Sequence, residues 1–151
     1  MNKEYFVDTV GLEKLLADYK DTFDMIDDEG QQLIGGIKST PEDYAICLDK
    51  LTGAYIALEP LYTQAIAYKE NEEIKAYVSM KKELEGKGEK VVAASLDKEA
   101  SASVEVQRRV RNILEGYVES CAKGIGTCQT QLKRFELQWK NKGGNTSGQP
   151  Q

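Results

Sequence analysis

Apolar side chains return every three or four residues through most of this chain, the spacing of one buried helical face. Leu12, Leu15, Leu16, Tyr19, Phe23 and Ile26 predict a first helix from about Val10 to Gly30. Gly30 and then Gly35-Gly36 mark its end and a loose connection. Ser39-Thr40-Pro41-Glu42-Asp43 predicts the next start: Thr40 can cap, Pro41 suits the first helical position, and the acids complement the helix dipole. From there Tyr44, Leu48, Leu51, Tyr55, Leu58, Tyr62 and Ala65 form a heptad seam. It resumes through Ile66, Ile74, Tyr77 and Leu84 and is stopped by Gly86-Lys87-Gly88. Pro60 lies inside the seam and predicts a kink or short break near Leu58–Glu59.

Val91-Val92-Ala93-Ala94 reads as a short extended piece or as early helix, with Ser95 or Asp97 able to cap the next helix. A second seam then runs through Val110, Leu114, Tyr117, Cys121, Ile125, Cys128, Leu132, Phe135 and Trp139, mixing heptad and hendecad steps. Gly116, Gly124 and Gly126 weaken that helix, which suggests close packing or a helix stabilised by partners. The pattern stops near residue 141, and the Gly-, Asn- and Ser-rich stretch 142–151 is expected to be a disordered tail. The expected fold is therefore all-α, a single domain over 1–141. Its core is a long antiparallel helical hairpin braced by an N-terminal helix. Tyr68, Tyr77, Ile113 and Val118 lie off the main seams, and self-association is the simplest way to bury that surplus.

Composition then removes several classes of function. The 151 residues contain no histidine, so the commonest general base and zinc ligand are missing. There is no Gly-rich phosphate loop and no metal-ligand spacing; Asp24, Asp27, Asp28 and Glu29 lack the alternation of a calcium loop. No catalytic residue, metal or cofactor is expected, and an enzyme is disfavoured. Cys47, Cys121 and Cys128 show no framework spacing and read as reduced, buried core thiols. No apolar run reaches the ~18 residues of a membrane span, and the N-terminus lacks a signal core, so a cytoplasmic protein is expected (host-cell cytoplasm if phage-encoded).

Charge is unevenly spread. Residues 1–79 carry 7 Lys against 16 acids, whereas residues 80–151 carry 13 Lys and Arg against 9 acids. Lys81, Lys82, Lys87 and Lys90 surround the predicted turn, and Arg108, Arg109 and Arg111 open the returning helix, with Lys98 between. An antiparallel hairpin would bring these into one patch with Tyr77 beside it. Such a patch suits phosphates, in a salt-dependent and sequence-independent way, and aromatic stacking favours single strands. The competing reading is a solvated helix face paired with Glu83, Glu85 and Glu105.

The stretch from Tyr62 to Phe135 resembles the phage recombination-mediator proteins of the UvsY type. The similar elements are a Tyr-rich basic helix (Tyr62, Tyr68, Tyr77, Lys81, Lys82), a Gly-containing break, and Lys90-Val-Val-Ala-Ala-Ser-Leu-Asp-Lys98. Leu114-Glu-Gly-Tyr-Val-Glu-Ser-Cys121-Ala-Lys-Gly-Ile125 comes next, then Leu132-Lys133 and Phe135-Glu136. The resemblance covers about half the chain and rests on residue types rather than a diagnostic motif. It implies a non-enzymatic, ring-forming oligomer that binds single-stranded DNA and helps a RecA-like recombinase replace single-strand-binding protein. Lys81 and Lys82 would supply DNA contacts. Leu114, Tyr117, Cys121, Ile125, Cys128, Leu132, Phe135 and Trp139 would drive oligomerisation. Glu83 and Glu85 beside the lysines, and the acidic N-terminal half, depart from that pattern. The alternative is a helical protein-interaction factor without DNA binding, such as a phage inhibitor of a host protein or an assembly chaperone.

Overall fold

The computed structural model describes residues 3–144, so the expected tail lies, from residue 145 onward, outside the described residues. Those residues form six helices and no strand: α1 (Glu4–Val7), α2 (Thr9–Asp18), α3 (Lys20–Ile34), α4 (Pro41–Gly86), α5 (Ala93–Ser103) and α6 (Glu105–Gly144). The all-helical expectation holds, and the two long helices pair as expected. Three boundaries differ. The first helix, expected from about Val10, is divided at Tyr19 into α2 and α3, and a short α1 precedes it, Asp8 leaving the helix to cap α2 with its carboxylate accepting from Gly11 N at 2.9 Å. The return from α4 passes through a separate helix, α5. The last helix continues to Gly144, three residues into the expected tail.

Pro60 does not break α4. It removes one backbone donor, but it sits on an exposed face where water can serve the freed carbonyl of Ile56. Both loops flanking α4 are closed by the same device. Gly36 and Gly88 take φ of +64° and +69°. Ile37 N then bonds Gln32 O at 3.2 Å and Glu89 N bonds Leu84 O at 3.0 Å, so each glycine completes a Schellman cap that needs the left-handed conformation. At the start of α4, Asp43 N donates to Thr40 Oγ1 at 3.2 Å while Thr40 N donates back to Asp43 Oδ2 at 3.1 Å. That reciprocal cap is the helix start that the sequence predicts.

The chain forms two compact units. The first comprises residues 1–20 and 58–116. Here α1 lies against both long helices: Phe6 meets Tyr68 with ring centroids 5.8 Å apart, and Gln107 Nε2 donates to Val7 O at 2.8 Å. Tyr62 Oη donates to Glu115 Oε1 at 3.0 Å, while Arg108 lies beside Glu73. Partners thus ascend on α4 as they descend on α6, an antiparallel pairing. The core is Phe6, Leu12, Leu15, Leu58, Leu61, Ala65, Leu96, Ala100, Val110 and Leu114.

The second unit comprises residues 21–57 and 117–151. Its α4 and α6 segments are also antiparallel: Tyr44 meets Phe135 at 6.1 Å, and Leu51 meets Gly124. A Cβ on Gly124 would fall 2.5 Å from Leu51 Cδ1, so of Gly116, Gly124 and Gly126 this one admits a close helix approach. Gly116 and Gly126 face open space. Phe23 of α3 stacks on Tyr117 at 4.2 Å and 19°, and Tyr117 Oη donates to Asp27 Oδ2 at 3.2 Å.

A buried charge holds the α3–α4 connection in this unit. Glu29, only 3% exposed, faces Lys38 of the loop at 2.7 Å and Lys50 of α4 at 2.8 Å. Lys38 approaches Glu29 Oε2 off the line of a good hydrogen bond and donates instead to Gln32 Oε1 at 3.0 Å. Burial acts to raise the Glu29 pKa, but Lys38, Lys50 and the Cys47 thiol together outweigh it and hold the group down to about 2.

Gly116→Ala and Gly126→Ala should each raise stability by about 0.5–1 kcal/mol in denaturant unfolding, because they add helix propensity and meet nothing. Gly11→Ala should lower it, since a Cβ there would lie 1.9 Å from Glu4 O. Glu29→Gln should cost about 2–3 kcal/mol at neutral pH, somewhat less than a fully buried broken pair because Lys50 is half exposed. A folded pKa depressed from 4.5 contributes stability that is present above that value and lost as pH falls toward 2. Urea midpoints for wild type and variant should therefore converge across that window; a constant gap would remove the carboxylate from this role.

Candidate nucleic-acid interface

The cations expected to form one patch are placed at two levels of the first unit. Lys81 and Lys82 lie near the end of α4, and Lys87 and Lys90 lie on either side of the Gly88 cap. Because α5 intervenes, α6 begins beside the middle of this part of α4 rather than at its end. Arg108 accordingly sits near Glu73, eight residues before Lys81 and about 12 Å of helix rise away from it. The single patch expected from a simple turn is therefore not formed. The returning helix, expected to start at Ser95 or Asp97 and run on, is instead divided at Val104 into α5 and α6.

Several of these cations are also committed. Arg108 donates to the backbone oxygen of Ser101 and, at 2.6 Å, to Ser101 Oγ, which clamps the end of α5 to the start of α6. Arg111 donates to Asn112 Oδ1 at 3.1 and 2.6 Å and lies 3.8 Å from Glu115. Lys87 pairs with Glu83 at 2.8 Å, one turn back, and this contact holds the Glu83 carboxyl below its ordinary pKa. Lys69 does the same for Glu73 at 2.5 Å, with a further contribution from Arg108. The groove lined by Glu73, Asp97, Lys98, Ser101 and Arg108 carries both signs and selects no anion.

A smaller set is left. Lys81, Lys82, Lys90 and Arg109 are exposed and make no ion pair among the described residues, and Lys98 joins them on α5. Tyr77, the expected stacking partner, is half buried. Ammonium and guanidinium groups without committed counterions give up the least when they meet a phosphate, so these are the positions where a polyanion gains most.

The seam expected to drive oligomerisation is largely used within the chain. Leu114, Cys121 and Cys128 are fully buried, and Tyr117 is stacked on Phe23. Ile125, Leu132 and Phe135 are half buried, and only Trp139, 81% exposed, is open along its length. Periodicity reports that a face is covered but not by what; here α3 and α4 cover it. The three thiols are all buried. Burial pushes Cys121 up to about 11 and, with Cys128 and Glu29 nearby, Cys47 well above its ordinary value, so both are protonated at neutral pH and unsuited to nucleophilic work.

Among the described residues no group of His, Cys, Asp or Glu is arranged to hold a metal ion, and no helix is long and apolar enough to cross a membrane. Glu29 is the residue that sequence reasoning misplaces. It groups in sequence with the exposed acids of α3, yet it lies three residues after Ile26 on the apolar stripe, and that position is the available signal. Compared with protein-family models, with curated proteins and with solved structures, the chain shows no match.

Proposed function

We propose that this chain is a single-stranded-DNA-binding recombination mediator, an accessory that helps a RecA-like recombinase displace single-strand-binding protein. The observation that carries the reading is the set of exposed cations without ion-pair partners, Lys81, Lys82, Lys90 and Arg109, on a helical scaffold of the first unit. The resemblance of Tyr62–Phe135 to the UvsY type supplies the biological context. Several subunits would contact one strand together, so modest affinity per subunit would be multiplied by avidity. Self-association would use exposed apolar side chains such as Ile34, Ile56 and Ile74 rather than the buried part of the α6 seam.

A second reading, a protein-interaction factor without DNA binding, is favoured by one feature. The outer face of α3 presents Asp21, Asp24 and Asp28, and Ile34 and Ile37 beyond them are 81% and 71% exposed. An acidic face with apolar neighbours suits a basic protein partner.

The two readings separate in one titration. A fluorescein-labelled oligo-dT should bind, and log affinity should fall with log salt. Replacing Lys81, Lys82 and Arg109 together by Ala should weaken binding by about 10–100-fold at low salt and reduce the salt slope by about 2, three single-strand phosphate contacts being lost. An unchanged slope in a variant that still folds would overturn the interface. Absence of binding by the wild type at low salt would favour the protein-interaction factor.

A further inference from the structure

The far end of α6 has a property that its seam does not explain. Pro41 is the first residue of α4, and in the antiparallel pairing of the second unit Tyr44 stands opposite Phe135. The seam position after Phe135 is Trp139, and there α4 has run out. An open groove of about 450 Å³ is left, lined by Pro41, Leu132 and Phe135 together with Trp139, Lys142, Gln138 and the carboxylate of Glu136. Residues 136–143 are all exposed, and the indole of Trp139 is 81% exposed. A large flat aromatic is thus held in water beside an open groove.

Charge restricts what can occupy that groove. Residues 132–142 carry Lys133, Arg134, Lys140 and Lys142 against Glu136 alone. Lys140 neutralises Glu136 at 2.8 Å, which leaves Lys142, with no ion pair among the described residues, as the uncommitted charge of the groove's lining. A second copy presenting the same segment would place cation against cation. An anionic membrane would need a broad apolar face, yet Leu132 and Phe135 are already half buried. A single nucleic-acid strand needs what is present: one π face for a base and an unpaired cation, Lys142, less than a turn away for a flanking phosphate.

We propose that Trp139, with Lys142 beside it, forms a stacking site for single-stranded nucleic acid in the second unit, separate from the cations of the first. It extends the proposed function, and its failure can be told apart from the failure of that reading. Trp139 is the only tryptophan, so its emission reports this site alone. Oligo-dT should quench the emission saturably, and less so as salt rises. Trp139→Ala should weaken binding measured by anisotropy by about 5–100-fold, with Trp139→Phe retaining part of the affinity. Lys142→Ala should shift the quenching curve to higher oligonucleotide concentration. The Lys81, Lys82 and Arg109 triple variant should still quench.

Four results would overturn the proposal. Oligo-dT binding by anisotropy with Trp139 emission unchanged would leave the first-unit interface intact and remove this one. Emission that is already blue-shifted and shielded from acrylamide in the free protein, with light scattering showing an oligomer, would assign the groove to a second copy. A shift on phosphatidylserine vesicles with none on oligo-dT would assign it to a lipid surface. Loss of quenching in the first-unit triple variant, with its fold intact, would also remove it as a separate site.

Discussion

A carboxylate that cannot reach water fixes the second unit. Burying Glu29 is unfavourable by several kcal/mol unless opposite charge meets it, and that charge comes from two places distant in sequence. Lys38 arrives on the loop and Lys50 on α4, so the ion pairs form only when α3, the loop and α4 are correctly placed together. The features around the loop serve the same requirement. The Gly36 cap turns the chain sharply out of α3, the Thr40–Asp43 cap turns it into α4, and Tyr44 Oη donates to Lys38 O at 3.1 Å. Lys38 is thereby held at its backbone as well as at its ammonium group. A hydrophobic residue at position 29 would have filled the volume, but it would not have specified which loop conformation covers it.

Much of this fold is legible in the chain because its strongest signals are local. The Thr40 cap, the glycine stops and the two seams depend on residues within a turn or two of one another, and each appears near where the spacing puts it. The breaks at Asp8, Tyr19 and Val104 are not legible. Each interrupts a helix where no proline or glycine pair marks it. Gly11 shows the constraint from the other side. It lies inside α2 where sequence offers no reason for a glycine, and the reason is the backbone of α1 pressed against it.

The candidate sites are less legible, for two separate physical reasons. A sequence count treats basic residues as free charge, whereas Arg108 and Arg111 are hydrogen-bonded braces and Lys87 is neutralised one turn away. A guanidinium with five donors is well suited to joining the ends of two helices, and that use looks the same in sequence as a phosphate contact. The oligomerisation seam misleads in a parallel way. Leu114, Cys121 and Cys128 do lie on a buried face, but intrachain helices bury it.

Both errors have the same remedy, which is to ask where a pattern outlasts its partner. The α6 seam keeps its spacing through Leu132, Phe135 and Trp139, while α4 ends at Pro41. Inside the paired region a seam residue is core, and its identity is constrained by volume and polarity. Beyond the paired region the same spacing yields an exposed indole, and nothing in folding this unit requires a residue of that size there. Cations collect around it where the packed part of the seam has glycine and cysteine. The change in residue chemistry coincides with the end of the intrachain partner, which is what a helix end adapted to hold something outside its own chain would show.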